Sequence, residues 1–314
     1  MSEKLRILIT GSNGLLGQKL VYALKGDPEV SLIATGRGAN RLAVQVGYTY
    51  SSLDITNKQE VIRALQEHQP DVVIHTAAMT NVDQCETERD ACRLQNVEAV
   101  RHLVDAIEGM PHKRVHLIHL STDFIFDGEA GPYQEEDAPN PVSFYGWSKY
   151  DAERIITASG IDWAILRTII VYGITDNMSR SNIVLWAREA LRKGQPMKVV
   201  NDQFRSPTLA EDLAQGCILA AKQRARGIFH ISGPDTLSII DLVSAVARVN
   251  GLSMDFVEAV SSATLNQAAK RPPRTGFIID KARRVLGYAP HTFEEGILWV
   301  QEQADAYEQA NPKP

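Results

Sequence analysis

The stretch Leu5-Arg-Ile-Leu-Ile-Thr10-Gly-Ser-Asn-Gly14-Leu-Leu-Gly17 decides the fold. Its first half is a short apolar run of β character. Glycines then recur at every third position, and an amphipathic pattern over residues 17–24 follows. Strand, glycine turn and helix in that order make the opening of a dinucleotide-binding βαβ unit. Glycine permits the tight turn and a close backbone approach, and the helix end offers unpaired N–H groups and a partial positive charge to a pyrophosphate. The spacing alone is a weak signal, and its place directly after the first strand gives Gly11, Gly14 and Gly17 their force.

Further β-rich runs at residues 31–35, 72–75, 115–120 and 163–167 alternate with helical patterns such as 58–66 and 97–107. That alternation predicts a parallel sheet covered on both faces, a doubly wound α/β fold of the Rossmann type. Beyond Tyr172-Gly173 the texture changes. Residues 181–191 read as a helix, 197–208 carry polar residues including Gln203 and Arg205, and a unit at 209–221 and 228–232 is placed to return to the sheet. The predicted organisation is therefore a cofactor-binding domain of residues 1–172 and 208–232, interleaved with a smaller substrate-binding domain of 173–207 and 233–314. Residues 301–314 read as a frayed tail.

Composition narrows the function classes. The 314 residues are 44% hydrophobic and 23% charged, with 33 basic and 38 acidic side chains and a net charge of −5. This is the make-up of a globular protein large enough for a ligand cleft, without the basic face that nucleic acid requires. No apolar run approaches the ~20 residues of a membrane span. The first residues lack a secretory pattern, so a cytoplasmic location is expected. Cys85, Cys92 and Cys217 are odd in number and lack a CxxC pair, which predicts reduced thiols and no thiolate metal site.

The end of the second strand discriminates between nicotinamide cofactors. An acid there holds a ribose 2′-hydroxyl, and an arginine accommodates a 2′-phosphate. Here the residue is Arg37, so NADPH is the expected cofactor, with NADH possible. The fifth run ends in Ser121-Thr122-Asp123, and Tyr145-Gly-Trp-Ser-Lys149 follows a Pro139-Asn-Pro141 loop. On a helix, Tyr145 and Lys149 share one face. A cation beside a phenol stabilises its anion and makes the tyrosine a better acid, while hydroxyls at the strand end can hydrogen-bond a carbonyl.

Taken together, Thr10-Gly-X-X-Gly-X-X-Gly17, Ser121-Thr122 and Tyr145-X-X-X-Lys149 resemble the extended short-chain dehydrogenase/reductase superfamily. His75-Thr-Ala-Ala-Met-Thr-Asn-Val-Asp83, Ser121-Thr-Asp-Phe-Ile-Phe-Asp-Gly128, Leu166-Arg-Thr168, Val171-Tyr-Gly173, Asp202-Gln-Phe-Arg-Ser-Pro-Thr208, Gly227-Ile-Phe-His230 and Arg271-Pro-Pro-Arg274 narrow the resemblance to the dTDP-4-dehydrorhamnose reductase family. The resemblance implies an NAD(P)-dependent oxidoreductase acting on a sugar nucleotide, with a homodimer as the expected assembly. It implies that Thr122, or second to it Ser121, hydrogen-bonds the substrate C4 carbonyl, that Tyr145 donates the proton, and that Lys149 holds the nicotinamide ribose. By the same resemblance Gly11, Ser12, Asn13, Gly14, Leu15 and Leu16 form the pyrophosphate loop. Asp54 and Ile55 meet the adenine after the third strand, Ala77, Ala78 and Thr80 line the fourth strand end, and Asn96 steadies the site. Asp123, Phe124, Trp147, Gln203 and Arg205 are the expected substrate contacts.

Departures matter as well. Sugar-nucleotide dehydratases resemble Ser-Thr-Asp-Glu at the fifth strand end, where the glutamate removes a proton; Phe124 stands here, which argues against dehydration. Arg205 replaces a frequent glycine, implying an extra phosphate or sugar contact. Gln18 and Lys19 occupy the place of an acid that in some members bridges subunits through magnesium, so no metal is expected. His75, His116 and His119 read as structural residues, with His116 and His119 on opposite strand faces. Glu135-Glu-Asp137 reads as a solvated loop, and Trp163, Trp186 and Trp299 as packing residues. The same resemblance extends to the regulatory β subunit of methionine adenosyltransferase, leaving a non-catalytic reading, and a reductase or epimerase of another sugar nucleotide, as alternatives.

Overall fold

The computed structural model of the chain describes residues 3–110, 112–176 and 181–310. Seven parallel strands form the central sheet, and in spatial order they are Gly227–His230, Asp162–Thr168, His116–Thr122, Val72–His75, Leu5–Thr10, Val30–Gly36 and Thr49–Ser52. The first strand lies mid-sheet, and the chain winds outward from it in both directions. Ligands of such sheets bind at the carboxyl ends, where the order reverses.

The strands are nearly continuous apolar runs because both faces are buried. Within the first strand Ile7 and Ile9 join one core with helices Leu15–Leu24 and Ala210–Lys222. Leu8, between them, faces the opposite core with helices Lys58–His68 and Ala99–Glu108. The same alternation recurs in Ile118 against Leu117 and Leu166 against Ile165. The third strand, Thr49–Ser52, is absent from the apolar runs of the sequence because it is a polar edge strand.

Gly227–His230 joins the sheet beside Asp162–Thr168, so the chain does return, as expected. A third core lies outside the sheet, containing Tyr172, Val184, Val199, Leu242, Phe293 and Val300. Its strands pair in twos, Met197–Val200 with Val257–Val260 and Phe204–Arg205 with Leu237–Ser238. The final helix, Phe293–Ala310, is anchored in that core by Ile297 and Val300. The tail expected from residue 301 is thus helical through 310; residues 311–314 lie outside the described residues. Among the described residues no helix is long and apolar enough to cross a membrane.

Candidate active site

A cleft of about 1010 Å³ runs along the carboxyl ends of the strands. The glycine turn forms one end. Gly11 has φ +71°, and a β-carbon there would lie 2.8 Å from the Ala77 nitrogen, so only glycine brings the first turn this close to the fourth strand. Gly17 packs against the Gly11 carbonyl in the same way. Helix Leu15–Leu24 starts at Gly14 with no side-chain cap, which leaves its first-turn N–H groups facing the cleft. An uncapped helix end over a glycine cradle fits a pyrophosphate.

Asn13 has a more local task than the sequence suggests. Its amide donates to Ala39 O at 3.0 Å and to the Tyr50 hydroxyl at 3.2 Å, and its oxygen accepts from Arg41 N at 2.9 Å. The side chain thereby folds residues 38–41 over the end of the cleft, where Arg37 and Arg41 both line it. Burial pushes the Asp54 carboxyl up, but the hydrogen bonds from Thr56 and, less, the charge of Arg37 together hold it below its ordinary range. Across the cleft, Asp176 accepts from Ala43 N at 2.9 Å, and its own N–H donates to the Gln18 side chain at 2.8 Å. Sequence reasoning missed Arg41, Asp176 and Lys198, which line the cleft from loops or short strands without a recognisable spacing.

The other end holds the strand-end hydroxyls and the active-site helix. Helix Phe144–Thr157 is capped by Ser143, whose Oγ accepts from Gly146 N at 3.2 Å. Tyr145 and Lys149 lie on one face of it, 8% and 3% exposed, and both border the cleft beside Ser121 and Thr122. Burial pushes the Tyr145 phenol well above its ordinary value, a hydrogen bond with Thr122 pulls it back, and the charge of Asp123 pushes it up further. The expected lowering by the lysine is not what the buried phenol shows: burial sets the direction, and the group that lowers it is Thr122. Burial brings the Lys149 ammonium down to about 8, against the opposing charge of Glu153.

Beneath this face, helix Arg89–Arg93 passes into a π-helical turn, Leu94–Glu98, carrying Asn96. The Asn96 side chain accepts from Met79 N at 2.8 Å and donates to Met79 O and to Ser148 Oγ, both at 3.0 Å. It ties the fourth strand end to the active-site helix from behind the cleft wall.

Most of the expected site residues meet in this one cleft. Gly11, Asn13, Gly14, Leu15, Leu16, Gly17, Arg37, Asp54, Ile55, Ala77, Ala78 and Thr80 line the end at the glycine turn, and Ser121, Thr122, Asp123, Phe124, Tyr145, Lys149, Gln203 and Arg205 the other end. Ser12 is buried behind the turn with its N–H donated to Thr35 O, and Asn96 is buried as described. Trp147 is exposed on the outer side of its helix against Tyr150 and does not border the cleft, whereas Trp186 does.

Three other expectations change. Arg205 is 2% exposed and its guanidinium is spent inside the protein. It donates to Phe204 O and Pro272 O at 2.7 Å and to Pro273 O at 3.2 Å, and it lies 3.7 Å from the Asp123 carboxylate. It braces the wall instead of offering a free charge. Glu135 is buried, accepting from His230 N at 2.9 Å, so only Glu136 and Asp137 belong to an exposed loop. His119 lies against Lys149, its Nε2 3.2 Å from the lysine Nζ. Lys19 pairs with Glu211 at 2.8 Å, and among the described residues no three histidine, cysteine or acidic side chains gather as metal ligands.

Comparison with known proteins agrees with this geometry. A family model described as the RmlD substrate binding domain matches residues 5–305. A probable dTDP-4,6-dihydroxy-2-methyloxan-3-one 4-ketoreductase of Streptomyces antibioticus is 34% identical, with 85% of each chain covered. A dTDP-4-dehydrorhamnose reductase of Aggregatibacter actinomycetemcomitans is 30% identical over 96% of this chain and 99% of its own. The solved dTDP-4-dehydrorhamnose reductase of Bacillus anthracis in complex with NADP superposes with a TM-score of 0.82 at 28% identity, covering 96% of this chain and 99% of that one. The chain belongs to the RmlD substrate-binding family, within the extended short-chain dehydrogenase/reductase superfamily.

Proposed function

We propose that this NAD(P)-dependent oxidoreductase, a reductase of sugar nucleotides, converts dTDP-4-dehydro-L-rhamnose to dTDP-L-rhamnose, with NADPH preferred and NADH a second donor. The observation that carries this reading is the meeting of Thr122, Tyr145 and Lys149 in one cleft with an uncapped helix end over a glycine turn. Residues 1–172 and 208–232 are taken as the cofactor-binding domain, and 173–207 with 233–314 as the substrate-binding one.

Bound NADPH supplies the hydride for C4. The protein supplies orientation and a proton. Thr122 hydrogen-bonds the C4 oxygen, and Tyr145 donates its phenolic proton to that oxygen as the alcohol forms. Burial keeps Tyr145 protonated across neutral pH, which suits a donor. The phenolate left behind is stabilised by the Lys149 ammonium until solvent returns the proton. Phe124 offers no base beside the keto group, which fits reduction rather than elimination. Asp123 and Gln203 line the sugar end.

The test is the loss of reduced-nicotinamide absorbance with dTDP-4-dehydro-L-rhamnose, run with NADPH and NADH in parallel. Rapid oxidation supports the reading, and Tyr145→Phe should lose most turnover while still binding NADPH. Full activity of that variant removes the proposed acid. NADPH binding without oxidation transfers the weight to another keto sugar, resolved by product analysis, or to a regulatory role, resolved by co-purification with a synthetase.

A further inference from the structure

His119 stands on the strand His116–Thr122 with its ring toward the active-site helix. Its Nε2 lies 3.2 Å from Lys149 Nζ. Both residues are buried, at 1% and 3% exposure. An ammonium has only hydrogens to give, so an imidazole nitrogen can meet it only as a lone-pair acceptor. That fixes His119 as a neutral ring with its hydrogen on Nδ1, the nitrogen that has no other partner.

The surroundings enforce this state. The His75 ring stacks on His119 with centroids 5.4 Å apart, and His75 Nδ1 is 2.7 Å from Thr10 Oγ1. The helix contributes Lys149 and, one turn on, Glu153, whose carboxylate is occupied by Arg167 at 2.8 and 3.1 Å. Cys92 from the facing helix also acts on Lys149 through its charge. Among the described residues no carboxylate hydrogen-bonds the Lys149 ammonium, and a proton on His119 would place two cations 3.2 Å apart. Burial and the charges of Lys149 and His75 hold His119 well below its ordinary value.

We infer that His119 is a positioning residue of the reduction: a neutral acceptor that holds the Lys149 ammonium charged and aimed at the cleft. This rests on the assignment of Lys149 to the catalytic set. A carboxylate in the same place would also hold the lysine, but it would neutralise the charge needed by the phenolate. A neutral imidazole holds it and leaves the charge intact, with further N–H bonds free for the cofactor ribose and the tyrosine. A hydrogen bond to the charged form favours that form, so removing the acceptor lowers the pH at which Lys149 loses its proton.

Two variants separate acceptor from shape. His119→Phe keeps a ring against His75 and removes the nitrogen; His119→Gln loses the ring and keeps an acceptor. Lys149 is followed by NMR of protein labelled at the lysine ε-carbon, its signal assigned by loss in Lys149→Met, and needs no turnover. The expected result is a midpoint lower by about one pH unit, tenfold in the protonation equilibrium, in His119→Phe and little change in His119→Gln. With substrate, the alkaline limb of kcat moves with the same midpoint. An unmoved midpoint in His119→Phe, or an equal fall in both variants, overturns the inference. Should His119→Phe not fold, nitrogen-15 histidine spectra of the unaltered protein decide. A neutral Nδ1–H ring from pH 6 to 9 supports the inference, whereas an Nε2–H ring or an imidazolium overturns it. A wild type that never consumes NADPH refutes the reductase reading while leaving these spectra to judge His119.

Discussion

The Phe124 carbonyl oxygen occupies the space that a β-carbon on Gly146 would need. Glycine at that point lets the active-site helix approach the turn after the fifth strand, and the approach sets Tyr145 beside Thr122. Gly146→Ala must push the two apart, and misplacement by about an ångström costs on the order of 100-fold in rate. Steady-state kinetics should show kcat falling far more than NADPH affinity, and an alanine variant with native kcat would refute the argument.

Arg205 and Asp123 are a buried pair whose value lies in not being separated. Arg205→Met strands the Asp123 carboxylate in the wall without its cation, left to the hydroxyls of Thr122 and Thr275 and its own backbone N–H. Loss of one member of a buried pair costs about 3–5 kcal/mol. Urea unfolding should register that loss, and adding Asp123→Asn to the variant should recover part of it. A single variant as stable as wild type would show the pair to be dispensable.

Arg37 should set the cofactor preference. Arg37→Asp removes a charge-assisted contact with a 2′-phosphate, an effect of roughly 1.5–3 kcal/mol or about 10- to 100-fold. NADPH affinity is expected to fall by that factor while NADH affinity holds or rises. Titration of both cofactors against both proteins checks it, and an unchanged ratio would transfer the role to Arg41.

Acid should unfold the protein earlier than its carboxylates alone predict. Burial holds His75 at about 3 and keeps His119 and His230 well below the ordinary histidine value. The unfolded chain takes up these protons near pH 6.5 and the folded chain does not. Stability is therefore level above that pH and falls as pH drops from there toward 3, by about 1.4 kcal/mol per pH unit for each such histidine. Urea midpoints at pH 7.5 and 5.5 should differ clearly; equal midpoints would mean that the rings titrate normally when folded.

Legibility from sequence followed the kind of contact involved. The glycine turn, the strand-end hydroxyls and the tyrosine–lysine pair are local patterns, and each lies where its spacing implies. Arg41 and Asp176 act by folding loops over the cleft, and nothing in a run of residues marks such a fold. Arg205 was readable as a charge near the ligand but not as one whose donors are taken by Pro272 and Pro273, because those two partners lie distant in sequence. His119 illustrates the same limit: strand periodicity gives its face, and only tertiary packing reveals that Lys149 waits there.

The chain leaves the first core after residue 172, returns with the helix Ala210–Lys222 and the strand Gly227–His230, leaves again, and comes back once more with Phe277, Ile279 and Tyr288 before the last helix closes the third core. A single proteolytic cut therefore cannot release two self-sufficient halves, since each would lack pieces carried by the other. An exchange of either part by a single crossover would break both cores at once.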